Sequence, residues 1–172
     1  AVTAFLPSLR EEHSIDAVVA NAENLAHGKG VTRSTLKEMM DAGVDFFTSG
    51  NHIWAKPEGI EIVQQGDAPL LRPANYPPEA PGTGAKVLTI ATKSILVVNL
   101  MGRDFMPSTV DCPFRALDAI LEKYRDTSLA APRRRILHDG YLASRSRLSW
   151  RLLRCANATM RGRHRRAIES CA

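Results

Sequence analysis

Two short polar clusters hold the residues of this sequence whose types and spacing could do chemistry. They are residues 21–24 (NAEN) and residues 49–52 (SGNH), and each directly follows an apolar run that predicts a buried strand. In an open α/β sheet the carboxyl ends of neighbouring strands line one crevice, where ligands bind. If the two predicted strands are neighbours, four side chains converge in that crevice, namely Glu23, Asn24, Asn51 and His52.

This group of side chains allows two interpretations. A carboxylate, amide oxygens and an imidazole form the mixed ligand set that suits Mn²⁺, Fe or Zn²⁺. Gly50 would then permit the sharp backbone turn that aims Asn51 and His52 into the crevice. Asn and Gly after a strand are also common turn formers, and a Glu beside them is commonly solvated. The pattern alone favours the turn, with the metal site as the alternative.

Other motifs give weaker signals. The loop HGKG at residues 27–30 could face a phosphate, but it fits neither a P-loop nor a GxGxxG fingerprint. No serine lies in a GxSxG elbow, which argues against a serine hydrolase. The cysteines, Cys112, Cys155 and Cys171, are too widely spaced for a disulfide framework or a CxxC metal site, so we expect a reducing, cytoplasmic setting. No apolar run is long enough to predict a membrane span.

The elements that would position the two clusters alternate between strand and helix over the first 65 residues, which predicts an α/β fold with a parallel core. A hairpin over residues 86–100 adds antiparallel strands, so a mixed sheet is expected. Thr32 is the predicted N-cap of a helix over residues 33–42, whose inner face would carry Leu36, Met39 and Met40. The remaining predicted elements are helices over residues 2–13, from residue 57 and over 114–124, strands over residues 15–20 and 44–48, and an irregular proline-rich loop over residues 73–84.

The net charge of +5 is distributed unevenly along the chain. Residues 1–132 contain 12 basic and 16 acidic side chains, a net charge of −4. Residues 133–172 contain 11 arginines, no lysine and two acidic residues, a net charge of +9. The basic character therefore belongs to the last 40 residues, and the part of the chain with the polar clusters is mildly acidic.

Five blocks of the sequence, in their order and spacing, resemble the YmdB-type bacterial metallophosphoesterases of the calcineurin-like phosphoesterase group. The blocks are NAENLAHGKGVT (21–32), GVDFFTSGNHIWAK (43–56), LLRPANYPP (70–78), VVNLMGRDFM (97–106) and DCPFRALDAIL (111–121). The resemblance covers about residues 1–125. It implies a calcineurin-like sandwich of mixed sheets flanked by helices, and hydrolysis of 2′,3′-cyclic nucleotides with two divalent metal ions, Fe or Mn, with Zn as an alternative. The metal site thereby becomes the favoured interpretation.

The resemblance also implies a role for each residue of the clusters. Glu23 matches the carboxylate that bridges the two metal ions, and Asn24 and Asn51 match metal ligands. His52 matches the proton donor. Two cations about 3.5–4 Å apart clamp a phosphate and stabilise the charge of in-line displacement. The departing alkoxide then needs a proton, which a neighbouring imidazolium can give.

Some motifs of the family do not occur in this sequence. The family has a first strand with a GDVVG-type segment, whose Asp binds the first metal, and later histidines in DFHAE and THTH motifs. None of these segments is present. The resemblance therefore implies an incomplete fold and about half of the metal shell. Activity is expected of the intact family and is in question for this chain.

The chain is predicted to consist of a partial metallophosphoesterase domain over residues 1–130 and a disordered Arg-rich tail over residues 131–172, outside the fold. The tail allows three interpretations: the product of a reading-frame shift in a GC-rich gene, a genuine extension, or a basic arm that binds phosphate backbones. The alternative functions are accordingly a non-catalytic nucleic-acid-binding protein or a degenerate gene fragment. The favoured partner is a small phosphodiester, with no membrane involved and the oligomeric state left open.

Overall fold

The structure is a computed structural model that describes residues 2–103 and 110–127, together with the backbone of residues 135–139 and 151–152. The helices are α1 (Val2–Glu12), α2 (Arg33–Asp41), α3 (Pro57–Gln65) and α4 (Pro113–Lys123), with a short 3₁₀ helix at Asn51–Trp54. The strands are β1 (Val18–Asn21), β2 (Phe46–Thr48), β3 (Leu70–Leu71), β4 (Ala85–Ile90), β5 (Lys93–Leu100), β6 (Arg135–Asp139) and β7 (Arg151–Leu152).

The strands of the described residues form two mixed sheets. In the first sheet the order is β3-β2-β1-β7, with β1, β2 and β3 parallel and β7 antiparallel to β1. In the second sheet the order is β4-β5-β6, where β4 and β5 form an antiparallel hairpin and β6 is parallel to β5. The predicted parallel core and the predicted hairpin are both confirmed.

Alternate residues of the first sheet pack in opposite directions, as the two-residue period of a strand requires. One face packs against α1, α2 and α3, in a buried cluster that includes Val18, Phe47, Leu6, Leu36 and Ile62. The opposite face packs against the second sheet through Phe46, Leu71 and Val97. The first sheet therefore has apolar contacts on both sides.

The second sheet is covered on its outer face by α4. Leu96, Val98 and Leu100 of β5 form a buried cluster with Leu117 of α4, while Val97 points the other way into the space between the sheets. The layers thus run helix, sheet, sheet, helix. This arrangement confirms the predicted sandwich of mixed sheets flanked by helices.

Helix α2 begins at the predicted residue, but its buried face contains fewer residues than predicted. Thr32 is the N-cap, and it forms a capping box with Thr35. Leu36 and Met39 are buried, but Met40 is 39% exposed, so its predicted place on the inner face was wrong. Met40 lies about 100° further round the helix axis than Met39, which turns it away from the narrow buried face.

The proline-rich segment 73–84 is irregular, as predicted, and is held by the buried side chain of Arg72. The guanidinium donates hydrogen bonds to three backbone carbonyls, those of Pro73 (2.7 Å), Ala80 (3.2 Å) and Pro81 (3.3 Å). Burial lowers the pKa of Arg72, an effect that Tyr76 partly opposes. The segment therefore has a fixed path although it contains no helix or strand.

Two short backbone segments of the Arg-rich tail, β6 and β7, pair with the sheets, and the predicted disorder of the rest of the tail falls outside the described residues. Cys155 and Cys171 also lie outside them. The predicted domain boundary near residue 130 stays a prediction. In the part of the chain that the structure describes, no helix has the length and apolar character needed to cross a membrane.

Candidate active site

The pairing of β1 with β2 brings the two polar clusters to one edge of the first sheet. The strands are parallel, with Asn21 opposite Thr48 at their carboxyl ends. Just beyond them, the backbone amide of Ala22 donates a hydrogen bond of 2.8 Å to the carbonyl of Thr48. The clusters therefore start side by side, as the sequence predicted for neighbouring strands.

Glu23 is buried at this edge, with only 3% of its surface exposed. One carboxylate oxygen, Oε1, accepts a long hydrogen bond of 3.5 Å from the backbone amide of His52. The other, Oε2, is buried and has no hydrogen-bond partner among the described residues. Burial raises the pKa of Glu23, while the amide and the charge of His52 and the amide of Asn51 lower it. The expectation of a solvated Glu is therefore wrong, because the carboxylate is enclosed by the second cluster.

Gly50 leaves the space that the carboxylate of Glu23 occupies. A Cβ atom added at residue 50 would lie 2.2–2.5 Å from the carboxylate atoms of Glu23, closer than any non-bonded contact allows. The φ angle of Gly50 is −134°, outside the left-handed region that glycine alone favours. The sequence predicted a sharp turn as the role of Gly50, whereas the structure shows that the missing side chain is what matters.

His52 is held against the first cluster by its ring. Its Nδ1 lies 2.8 Å from the side-chain oxygen Oδ1 of Asn24 and 4.0 Å from Oε1 of Glu23. Since an amide oxygen only accepts hydrogen bonds, Nδ1 is the donor in this pair. The side chain of His52 is 31% exposed. This arrangement orients the ring and leaves Nε2 for a second partner.

The structure thus brings three of the four predicted side chains together and places the fourth residue beside them. Glu23, Asn24 and His52 are linked by the distances given above. Asn51 opens the 3₁₀ helix directly after Gly50, beside His52, whose backbone amide donates to Glu23. The roles assigned to the four residues stay predictions.

Asn21 is a member of the site that the sequence pattern did not single out. Its side-chain oxygen accepts a hydrogen bond of 2.8 Å from the backbone amide of Glu23, a local turn that fixes the chain where it leaves β1. Its Nδ2 is buried without a hydrogen-bond partner among the described residues. The available signal was an Asn at a strand end with a Glu two residues later.

The loop at residues 27–30 does not offer its backbone amides to a phosphate. The amides of residues 26–30 all donate hydrogen bonds within the segment 23–30. Gly30 packs against the 3₁₀ helix, since a Cβ atom there would lie 3.0 Å from the carbonyl oxygen of His52. The loop therefore supports the second cluster from one side.

The side chains at this edge offer oxygen atoms to a cation. Among the described residues, no group of three or more His, Cys, Asp and Glu side chains is placed to hold a metal ion. The oxygen donors that the site provides include the carboxylate of Glu23 and the amide oxygen of Asn24, with Asn51 as the neighbouring residue. Oε2 of Glu23, which has no partner among the described residues, fits a divalent cation. Burial of an anionic oxygen without a hydrogen-bond donor raises the free energy of the folded chain, and a bound cation offsets this penalty.

A four-layer sandwich with a buried carboxylate at the carboxyl ends of its parallel strands places the chain with the metallophosphoesterase fold. One solved structure of this kind is a phosphatase of Mycoplasma pneumoniae, with 29% sequence identity, a TM-score of 0.69 and coverage of 80% of this chain and 48% of the other. A hypothetical protein from Thermus thermophilus has 38% identity, a TM-score of 0.70 and coverage of 81% and 51%.

Residues 1–132 match the family of YmdB-like proteins, and the chain belongs to this family. A curated relative from Bacillus subtilis, named 2′,3′-cyclic-nucleotide 2′-phosphodiesterase, is 36% identical over 121 residues. The match covers 70% of this chain and 45% of that relative. The chain therefore spans less than half the length of this curated relative.

Proposed function

We propose that this chain carries part of the active site of a metal-dependent phosphodiesterase or phosphatase whose substrate is a 2′,3′-cyclic nucleotide. The observation that supports the proposal best is the buried carboxylate of Glu23, whose Oε2 has no hydrogen-bond partner among the described residues and whose Oε1 lies 4.0 Å from Nδ1 of His52. The names of the relatives support the reaction class, since they include a cyclic-nucleotide phosphodiesterase and phosphatases.

In this proposal Glu23, Asn24 and Asn51 hold two divalent metal ions, Fe or Mn, with Zn as the alternative. When bound, such ions neutralise phosphate charge and lower the pKa of a bound water. The chain contributes a carboxylate that is held in place before any cation arrives, because Gly50 makes room for it and the backbone amide of His52 donates to it. Oδ1 of Asn24 has a second lone pair beyond the one that faces His52.

His52 supplies a proton to the leaving oxygen in this proposal. Its Nδ1 donates to Asn24, so the ring presents Nε2 to the substrate in a fixed orientation. The carboxylate of Glu23 lies 4.0 Å from Nδ1, on the side of the ring away from Nε2. A general acid of this kind contributes about 10²–10⁴-fold to a rate.

The cytoplasmic setting, the small-molecule partner and the domain boundary near residue 130 belong to the same proposal. The alternative function, binding of nucleic acid without catalysis, rests on the +9 charge of residues 133–172. Most of those residues lie outside the described part of the chain, so the site at the edge of the first sheet carries the stronger argument.

The proposal is tested by titrating Mn²⁺ into the purified chain by calorimetry. We expect Glu23→Gln to abolish binding, because the amide removes the anionic charge and keeps the shape. Glu61→Gln is the matched control, since Glu61 is exposed on α3. If Glu23→Gln bound Mn²⁺ as tightly as the wild type, the proposed site would be wrong.

The role of His52 is tested by hydrolysis of 2′,3′-cyclic AMP in the presence of Mn²⁺. Where the wild-type chain is active, His52→Gln is expected to lower kcat by about 10²–10⁴-fold while Mn²⁺ binding persists. His13→Gln is the control, because His13 lies after α1, beyond the site. An unchanged kcat in His52→Gln would exclude it as the proton donor.

A further inference from the structure

We propose that Asn99 is a positioning residue for the candidate metal site, an inference that rests on the function proposed above. Asn99 lies near the carboxyl end of β5 and is fully buried, with 0% of its surface exposed. It lies two residues after Val97, so its side chain faces the first sheet from the space between the two sheets. An amide in this apolar layer needs polar partners.

The two hydrogens of the Asn99 amide are both used across the layer. Nδ2 donates to the carbonyl of Ser49 at 2.8 Å and to the carbonyl of Leu71 at 3.0 Å. The hydroxyl of Ser49 donates to the same Leu71 carbonyl at 2.7 Å. One side chain of the second sheet therefore ties together the chain segments that leave β2 and β3 in the first sheet.

The segment that Asn99 holds is connected to the Glu23 carboxylate through a single residue, Gly50. Ser49 is bonded to Gly50, and the carboxylate of Glu23 rests where a side chain at residue 50 would be. The backbone amide that donates to Glu23 follows two residues after Gly50, at His52. A displacement of the Ser49 carbonyl would therefore move both Gly50, against which the carboxylate of Glu23 packs, and the His52 amide that donates to it.

The hydrogen bonds of Asn99 indicate that it positions the neighbouring chain segments, beyond any contribution to the stability of the fold. Its Oδ1 is buried without a hydrogen-bond partner among the described residues, so the side chain is kept in place although one of its polar atoms is unsatisfied. What the residue supplies to its surroundings is the pair of N–H donors. Both donors act on the segments that end at the candidate site.

The chain contains a matched control in Asn75. This asparagine is also buried, with 1% of its surface exposed, and its amide bonds the backbone of Met101 and Asp111. Its hydrogen bonds are at least as numerous as those of Asn99, but none of them reaches β1, β2 or the polar clusters. Asn75→Ala thus reports the effect of losing a buried amide that lies outside the site.

The test measures Mn²⁺ binding by calorimetry and backbone amide exchange of the metal-free chain by mass spectrometry. Asn99→Leu, which keeps the volume and removes both donors, is expected to raise the Kd for Mn²⁺ by about 10–100-fold, the usual effect of removing a group that orients metal ligands. It should also speed amide exchange at residues 50–52. Asn99→Thr retains one hydroxyl donor and is expected to have an intermediate effect. Asn75→Ala should change neither property.

The outcomes separate this inference from the proposed function. If the wild type binds no Mn²⁺, the proposed metal site fails, and exchange at residues 50–52 alone decides the role of Asn99. If Asn99→Leu leaves both the Kd and the exchange as in the wild type, Asn99 is not a positioning residue. If circular dichroism shows that Asn99→Leu does not fold, the Kd for Mn²⁺ and the amide exchange of Asn99→Thr decide whether Asn99 is a positioning residue. Equal effects of Asn99→Thr and Asn75→Ala would reduce Asn99 to a general packing role.

Discussion

At the scale of single residues, the site depends on a fit between a carboxylate and a missing side chain. The carboxylate of Glu23 fills the volume beside Gly50, and this is why it is buried and why its pKa is raised. The same enclosure leaves Oε2 without a partner among the described residues. Two substitutions examine the two halves of this fit.

Gly50→Ala should displace the carboxylate of Glu23, because the added Cβ would lie 2.2–2.5 Å from it. We expect loss of Mn²⁺ binding in calorimetry, with destabilisation of about 1–3 kcal/mol as for other overpacked sites. Gly66→Ala is the control: its φ of +66° disfavours alanine through backbone strain, but nothing lies within 4 Å of the added atom. Retention of Mn²⁺ binding by Gly50→Ala would show that the carboxylate does not need this space.

Glu23→Gln should change how the stability of the metal-free chain depends on pH. The pKa of Glu23 is raised above 4.5 in the folded chain, so the folded state binds the proton more tightly than the unfolded state. The free energy of unfolding of the wild type therefore falls as the pH rises from 4.5 through the folded pKa. Glu23→Gln lacks this fall, so it should gain stability relative to the wild type as the pH rises.

This pH dependence is measured by urea unfolding in the presence of a chelator at a series of pH values from acid to neutral. Glu61→Gln, on the exposed side of α3, provides the control. Parallel curves for the wild type and Glu23→Gln would mean that burial of the carboxylate has no energetic consequence.

At the scale of elements, the sequence pattern predicted the two strands that carry the site. It did not predict the side-chain contacts between elements that are distant in the sequence. The apolar runs identified β1 and β2, and their parallel pairing followed from the helix between them. Thr32 was a reliable N-cap because its hydroxyl acts on the first turn of its own helix. The bounds were less accurate, since Ile15 and Ala17 are buried but precede β1.

Contacts between elements that are distant in the sequence were not predictable from local patterns. Asn99 lies in the apolar run of β5, and its partners Ser49 and Leu71 are 50 and 28 residues away. These hydrogen bonds depend on which face of each sheet packs against the other, and the local periodicity of a strand does not determine that. The 3₁₀ helix at Asn51–Trp54 was missed for a different reason, because four residues are too few to show a helical period.

At the scale of the whole molecule, the question is which part of the chain makes the fold. The buried clusters of the described residues lie between Leu6 and Leu117, within the 1–132 segment that matches the family. The backbone of β6, in the tail, pairs with β5 over Leu96 to Leu100. A shorter segment of the tail, β7, pairs with β1. The core and the tail are therefore joined by backbone pairing at one edge of each sheet.

A chain that ends at Pro132 is expected to unfold cooperatively, because it retains all of these buried clusters. Its Tm should be a few degrees lower than that of the full chain, because β5 loses its partner β6 and β1 loses its partner β7. A loss of about 1 kcal/mol in the free energy of unfolding lowers Tm by about 2–8 °C. A chain that ends at Gly140 keeps β6 and is the matched control. Non-cooperative melting of the shorter chain would move the domain boundary beyond Asp139.

The same pair of chains tests the nucleic-acid alternative. If the arginines of the tail bind phosphate backbones, affinity for RNA should fall steeply with salt in the full chain and be lost in the chain ending at Pro132. Binding of Mn²⁺ should survive the truncation, because Glu23, Asn24 and Asn51 remain. RNA affinity that is unchanged by removal of the tail would exclude the basic arm.

The alignment of β1 with β2 also limits how such proteins can change in length during evolution. An insertion or deletion of one residue within a strand moves every following side chain to the opposite face. Between Val18 and Glu23 such a change would turn the carboxylate away from Gly50, so the length of this segment is expected to be invariant among functional homologues. Gains and losses of residues should instead accumulate in connections away from this edge, such as residues 66–69 between α3 and β3.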